Sequence, residues 1–69
     1  MRLWLRNLRE KNHLSQQYVA AQMGITQQYY NFIETGKRQH TLDLNTVVKL
    51  SELFNVSVEW IVKAETKTA

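Results

Sequence analysis

Apolar residues recur at helical spacing along the chain in five separate runs, each bounded by polar residues or glycine. Met1, Trp4, Leu5 and Leu8 follow the i, i+3, i+4, i+7 pattern of one buried stripe, which predicts a first helix over Arg2 to Lys11. Arg2, Arg6, Arg9 and Glu10 fall largely outside that stripe. Val19, Ala20 and Met23 mark a second helix, Gln16 to Met23, in which the small Ala20 allows a neighbouring helix to approach closely. A third runs from Gln27 to Thr35. At 100° per residue, Tyr30 and Ile33 face inward with Tyr29 at the margin; Gln28, Asn31, Phe32 and Thr35 gather on the opposite side, with Gln27 at its edge. The fourth carries Leu44, Val47, Val48, Leu50 and Phe54, apolar around much of its circumference as a central helix requires. In the fifth, Trp60, Ile61 and Ala64 can face a core, and Glu65 to Ala69 reads as a polar, frayed tail. The expected architecture is all-α: five short helices in one domain, residues 1–64, followed by that tail.

The boundaries carry their own chemistry. Ser15, Thr26, Asp43 and Ser57 each precede a helical run and offer an oxygen to the orphan amides of its first turn. Leu14 with Val19, Ile25 with Tyr30, Leu42 with Val47 and Val56 with Ile61 stand at the spacing of a hydrophobic staple. Gly24, Gly36 and Asn55 fall where helices must stop in the left-handed region. Two capped helices around Gly24 make the stretch Ser15 to Gly36 a helix-turn-helix candidate.

Composition narrows the partners. The 69 residues suffice for one modest core, and no cysteine is present to staple it or hold a metal. No stretch approaches the roughly 18–20 apolar residues of a membrane span, and the arginine-bearing start lacks the apolar run of a signal peptide. A cytoplasmic protein without membrane attachment is expected. Net charge is +3, a mild push towards polyanions. Its distribution is more telling. Between Asn12 and Gly36 there is no Lys or Arg, whereas Arg2, Arg6, Arg9 and Lys11 precede that window and Lys37 and Arg38 follow it. The outward face of the third helix is therefore uncharged, with amides, a hydroxyl and a phenylalanine.

Catalytic and metal chemistry find no constellation. His13 and His40 lie near helix ends without a carboxylate or thiol partner, the acids are scattered, and no glycine-rich phosphate loop occurs. No enzyme, metal site or cofactor is expected. A chain of this length also leaves no room beside the domain for a ligand-sensing module, so no small-molecule ligand is expected either.

The run LSQQYVAAQMGITQQYYNFIETGKR, followed by FNVSVEWIV, resembles the Cro/cI-type (XRE-family, lambda-repressor-like) helix-turn-helix proteins over about Leu5 to Val62. Leu14-Ser15-Gln16, Ala20, Gly24-Ile25, Ile33-Glu34, Gly36-Lys37-Arg38 and Val56-Ser57 fall at family positions. The resemblance implies a five-helix fold that places the third helix in the major groove of double-stranded DNA. It makes Gln27, Gln28, Asn31 and Phe32 the base-reading residues, Asn31 reaching either a base or a phosphate. A glutamine amide matches the N7 acceptor and N6 donor of adenine, and the apolar edge of Phe32 suits a thymine methyl, with a contact inside the protein as the alternative. It assigns phosphates to Gln16, Thr26, Lys37 and Arg38, with Gln16 also bracing Gln27. It pairs Arg9 with Glu34 as a structural salt bridge. Tyr18 and Tyr29 flank the reading face, where phosphate contact and plain packing are equal alternatives.

The segment Gln39-His40-Thr41-Leu42-Asp43 departs from the family, being about two residues longer than the common loop and lacking its proline. On the last helix, Val58 and Val62 share a side away from Trp60 and Ile61, which suits a two-fold contact between copies. The expected function is a transcriptional repressor that binds a pseudo-palindromic operator as a homodimer. A helical protein-interaction module and an antitoxin-like autoregulator of the same fold are the alternatives.

Overall fold

Four hydroxyl or carboxylate caps set the helix starts in the computed structural model, which describes residues 1–37 and 41–68. Ser15 accepts the Tyr18 amide at 3.0 Å, Thr26 the Tyr29 amide at 3.1 Å, Asp43 the Thr46 amide at 2.8 Å and Ser57 the Trp60 amide at 2.9 Å. The helices are α1 (Leu3–Lys11), α2 (Gln16–Met23), α3 (Gln27–Thr35), α4 (Leu44–Phe54) and α5 (Val58–Thr68), and no strand occurs among the described residues. Gly24, Gly36 and Asn55 stop α2, α3 and α4 at φ of 73°, 74° and 56°. A Cβ at Gly24 would meet no heavy atom within 4 Å, so glycine serves there for its left-handed backbone rather than for room. His13 also takes a positive φ, 58°, where the chain leaves α1. Histidine is among the non-glycine residues that take this conformation more often than most, and nothing in the apolar pattern marks it.

α2 packs on α3, α1 on α3, α2 on α4 and α4 on α5. Their shared core is Leu5, Val19, Ala20, Met23, Tyr30, Ile33, Val47, Leu50, Phe54 and Ile61, with Trp4, Leu8, Leu14, Ile25, Leu42, Leu53 and Val56 packed around it. Lys49 on α4 donates to the Met23 carbonyl at 3.2 Å, satisfying one orphan acceptor at the end of α2.

Several expectations are corrected at the periphery. α1 begins at Leu3, Met1 is 63% exposed and Arg2 is buried. Arg2 is buried because its guanidinium finds full compensation: Nη1 donates to the Ile33 carbonyl at 2.6 Å, and Nε and Nη2 hold the Glu65 carboxylate at 2.9–3.0 Å. Glu65 in turn accepts from the Trp4 indole at 3.0 Å, so the residues expected to fray from Glu65 onward continue α5 to Thr68. Trp60 is not a core residue; it lies 42% exposed with its ring edge-to-face against Trp4, centroids 6.0 Å apart. Leu44 and Val48 on α4 are likewise exposed, because the burial of α4 is confined to the side carrying Val47, Leu50 and Phe54.

Candidate nucleic-acid interface

The reading candidate is α3, and what holds it is an ion pair from α1. Arg9 reaches Glu34 with Nε at 2.9 Å and Nη2 at 3.1 Å, while its Nη1 donates to the Leu14 carbonyl at 2.9 Å. One guanidinium thus fastens α3 to α1 and to the connection leading into α2. The Arg9 and Glu34 side chains are only 12% and 3% exposed. Gln16, at the start of α2, adds a third donor to the same carboxylate at 3.2 Å. Burial by itself would raise the Glu34 pKa; the hydrogen bond from Arg9, then the neighbouring Tyr30 hydroxyl and the hydrogen bond from Gln16, outweigh it and hold the carboxyl below its ordinary range. The Arg9 pKa rises in turn, chiefly through the hydrogen bond to Glu34. Next to the pair lies Tyr30, whose buried hydroxyl makes no hydrogen bond of acceptable geometry; burial first, and then the neighbouring Glu34, push its pKa far above the ordinary range.

Around this anchor, Gln27, Gln28 and Tyr29 are exposed in the first turn of α3, and Asn31, Phe32 and Thr35 are half-buried. The exposed face is therefore narrower than the 100° pattern suggests and sits towards the N-terminal end of α3. Phe32 in particular is not a freely exposed ring. Asn31 is half-buried because its Nδ2 donates to Gln16 Oε1 at 3.3 Å. Gln16 therefore braces Asn31 and Glu34, and among the described residues no hydrogen bond joins it to Gln27. The approach of the start of α2 to the middle of α3 decides this, and no spacing along the sequence reports it.

Among the residues assigned to phosphates, Thr26 and Lys37 are exposed and Gln16 is half-buried, whereas Arg38 lies outside the described residues, as do Gln39 and His40 of the longer loop. The flanking charge is thinner than the sequence suggests. Arg2 and Arg9 are engaged inside the fold, and Arg6 pairs with Glu10 on the surface at 3.3 Å. Lys11 is exposed before the window, as Lys37 is after it. Tyr18 is 48% exposed beside the face. Val58 and Val62, one helical turn apart on α5, are 38% and 50% exposed. No group of three or more His, Cys, Asp or Glu is placed to hold a metal among the described residues, and no helix there is long and apolar enough to cross a membrane.

Two short capped helices around a left-handed glycine, tied to a preceding helix by a buried Arg–Glu pair, define a helix-turn-helix domain. The sequence model of the family described as helix-turn-helix matches residues 5–61, and the chain belongs to that XRE-type family. It is 33% identical over 61 residues to an uncharacterised HTH-type transcriptional regulator, YqaE, of Bacillus subtilis (strain 168). That match covers 88% of this chain and 51% of the relative, so the chain spans about half the relative's length. No solved structure gives a significant match.

Proposed function

We propose that this chain is a sequence-specific, double-stranded DNA-binding transcriptional regulator. It acts as a repressor in the cytoplasm, on a pseudo-palindromic operator, as a homodimer whose half-sites lie about one helical turn apart. The observation that carries the reading is the exposed Gln27–Gln28 pair on the first turn of α3, on a helix held from behind by the buried Arg9–Glu34 bridge. Two amides on a rigid helix end suit the mixed donor and acceptor pattern of the major-groove base edges, adenine above all. Thr26, Gln16, Lys37 and Arg38 would supply phosphate contacts that set register. Val58 and Val62 supply an apolar surface for the two-fold contact.

The relative's printed name, a transcriptional regulator, supports the same reading. The test is selection of bound duplex fragments from random DNA, followed by binding to the selected site across a salt series. A symmetric selected site, bound with an affinity that falls steeply as salt rises, supports the proposal. No duplex binding at low salt, or binding indifferent to salt, overturns it. The competing reading, a protein-interaction module of the same fold, draws on the exposed Trp60 beside Trp4. Tryptophan is enriched in protein interfaces, but that pair lies on α1 and α5 and leaves the uncharged first turn of α3 unexplained.

A further inference from the structure

The Arg9–Glu34 pair is the first member of a longer chain of hydrogen bonds that ends on the reading helix. Each link has only one allowed polarity. An ionised carboxylate accepts and never donates, so the Gln16 atom 3.2 Å from Glu34 Oε1 is the amide nitrogen. With Nε2 turned to Glu34, Gln16 presents its carbonyl Oε1 to Asn31. Asn31 must then present Nδ2, at 3.3 Å. Reversing either amide would set oxygen against oxygen or nitrogen against nitrogen. Side-chain amides are ordinarily ambiguous in this respect, and here the charge on Glu34 removes the ambiguity two residues away.

We propose that the Arg9–Glu34–Gln16–Asn31 relay fixes the polarity of the Asn31 amide. Asn31 thereby offers DNA a preset carbonyl oxygen and selects a base bearing an exocyclic amino group. This inference rests on the proposed docking of α3 in the major groove. An unrestrained asparagine turns either end of its amide to whatever the groove presents. Asn31 has one Nδ2 hydrogen committed to Gln16, and its Oδ1 accepts no hydrogen bond from the described residues. In the major groove, donors are the N6 amino group of adenine and the N4 amino group of cytosine; guanine O6 and thymine O4 are acceptors. The second Nδ2 hydrogen remains for adenine N7, so adenine fits best, whereas guanine or thymine would set an acceptor against Oδ1. Gln16 is a positioning residue in this scheme, acting on the base through Asn31.

The experiment uses the full chain, ¹⁵N-labelled, and three variants: Gln16→Met, Asn31→Ala and the double variant. Gln16→Met removes both amide contacts and leaves the Arg9–Glu34 pair in place. Without DNA, one of the two wild-type Asn31 side-chain amide protons, the one donated to Gln16, should be shifted from its free-amide position and protected from exchange, and both effects should be lost in Gln16→Met. In duplex selection, the wild type should favour adenine or cytosine over guanine or thymine by about tenfold at one position of each half-site. Gln16→Met, which also loses its phosphate contact, should weaken all sequences and in addition flatten that one preference while the others hold, and the double variant should match Asn31→Ala in its base preferences. A free-amide signature for Asn31 in the wild type overturns the relay whether or not DNA binds. A preference for guanine or thymine at the Asn31-dependent position also overturns it, as does uniform weakening by Gln16→Met with all preferences kept. If the wild type binds no duplex, the proposed function and the reading role fall together, and the amide spectrum alone decides whether the relay exists.

Discussion

Glu34 accepts three side-chain donors from two other helices: Arg9 Nε and Nη2 at 2.9 and 3.1 Å from α1, and Gln16 Nε2 at 3.2 Å from α2. One carboxylate, 2% exposed as a residue, is the point at which the three helices around the reading face meet. Truncating either ion-pair partner strands a buried charge. Glu34→Ala and Arg9→Ala are each expected to destabilise the domain by about 3–5 kcal/mol in urea unfolding. Replacing both residues with apolar ones of similar volume should cost far less than the two single changes summed. Equal, additive losses would show that the pair acts as two independent contacts.

The same carboxylate gives the fold a sign for its acid response. Glu34 has a folded-state pKa below its ordinary value, so its stabilisation is fully present above that ordinary value. It is lost as pH falls through the depressed folded value, where the native state must take up a proton. Asp43, exposed and held below its ordinary range by hydrogen bonds from Thr46, shifts in the same direction. Unfolding midpoints measured from neutral pH downward should fall through the acid range, and less steeply in Glu34→Gln, which starts from a lower stability. An unchanged slope in that variant would remove Glu34 as a source.

Tyr30 tests the opposite situation, a buried polar group without a partner. Its hydroxyl is enclosed beside Glu34 and, among the described residues, makes no hydrogen bond of good geometry. Removing an unsatisfied group of this kind relieves a desolvation penalty on the order of 1–3 kcal/mol. Tyr30→Phe is therefore expected to be neutral or stabilising in thermal unfolding. A loss of more than about 1 kcal/mol would mean that the hydroxyl donates to Glu34 in solution.

At the surface, affinity and selectivity should separate by residue. Gln27→Ala should weaken binding by about 1–3 kcal/mol at its cognate base pair and relax the preference there. Lys37→Ala should weaken all sequences alike and reduce the salt slope by about one. Competition binding against single-base operator variants distinguishes the two; a Gln27→Ala protein with unchanged preferences would exclude Gln27 from base reading.

What was legible in the sequence was local. Ser15, Thr26, Asp43 and Ser57 cap within three residues of themselves, and Gly24, Gly36 and Asn55 stop helices by their own backbone freedom, so composition and spacing report them. The inward placement of Tyr30 and Ile33 follows from helical period alone. Contacts between distant elements were not legible in this way. Arg2 looks like surface charge until Ile33 and Glu65 are brought to it. Gln16 finds Asn31 instead of Gln27 because of how α2 crosses α3, a rigid-body relation that no side-chain pattern encodes. The pairing of Arg9 with Glu34 was implied by family resemblance; 25 residues separate the two, too many for helical spacing to suggest it.

Arg2 and Glu65 stand 63 positions apart, so their contact closes nearly the whole chain into one loop. Closing a loop of that length carries an entropic penalty that short-range pairings such as α2 on α3 largely avoid. The clasp is therefore expected to form late, after the helices between its ends have docked, and to contribute little to the barrier for folding. Its weight falls on the reverse process: weakening it should steepen the rate of opening while leaving the rate of closing nearly unchanged. A chevron comparison of Glu65→Gln with the wild type would show this as a displaced unfolding arm. Arg2 and Glu65 would then act as a latch on the lifetime of the native state.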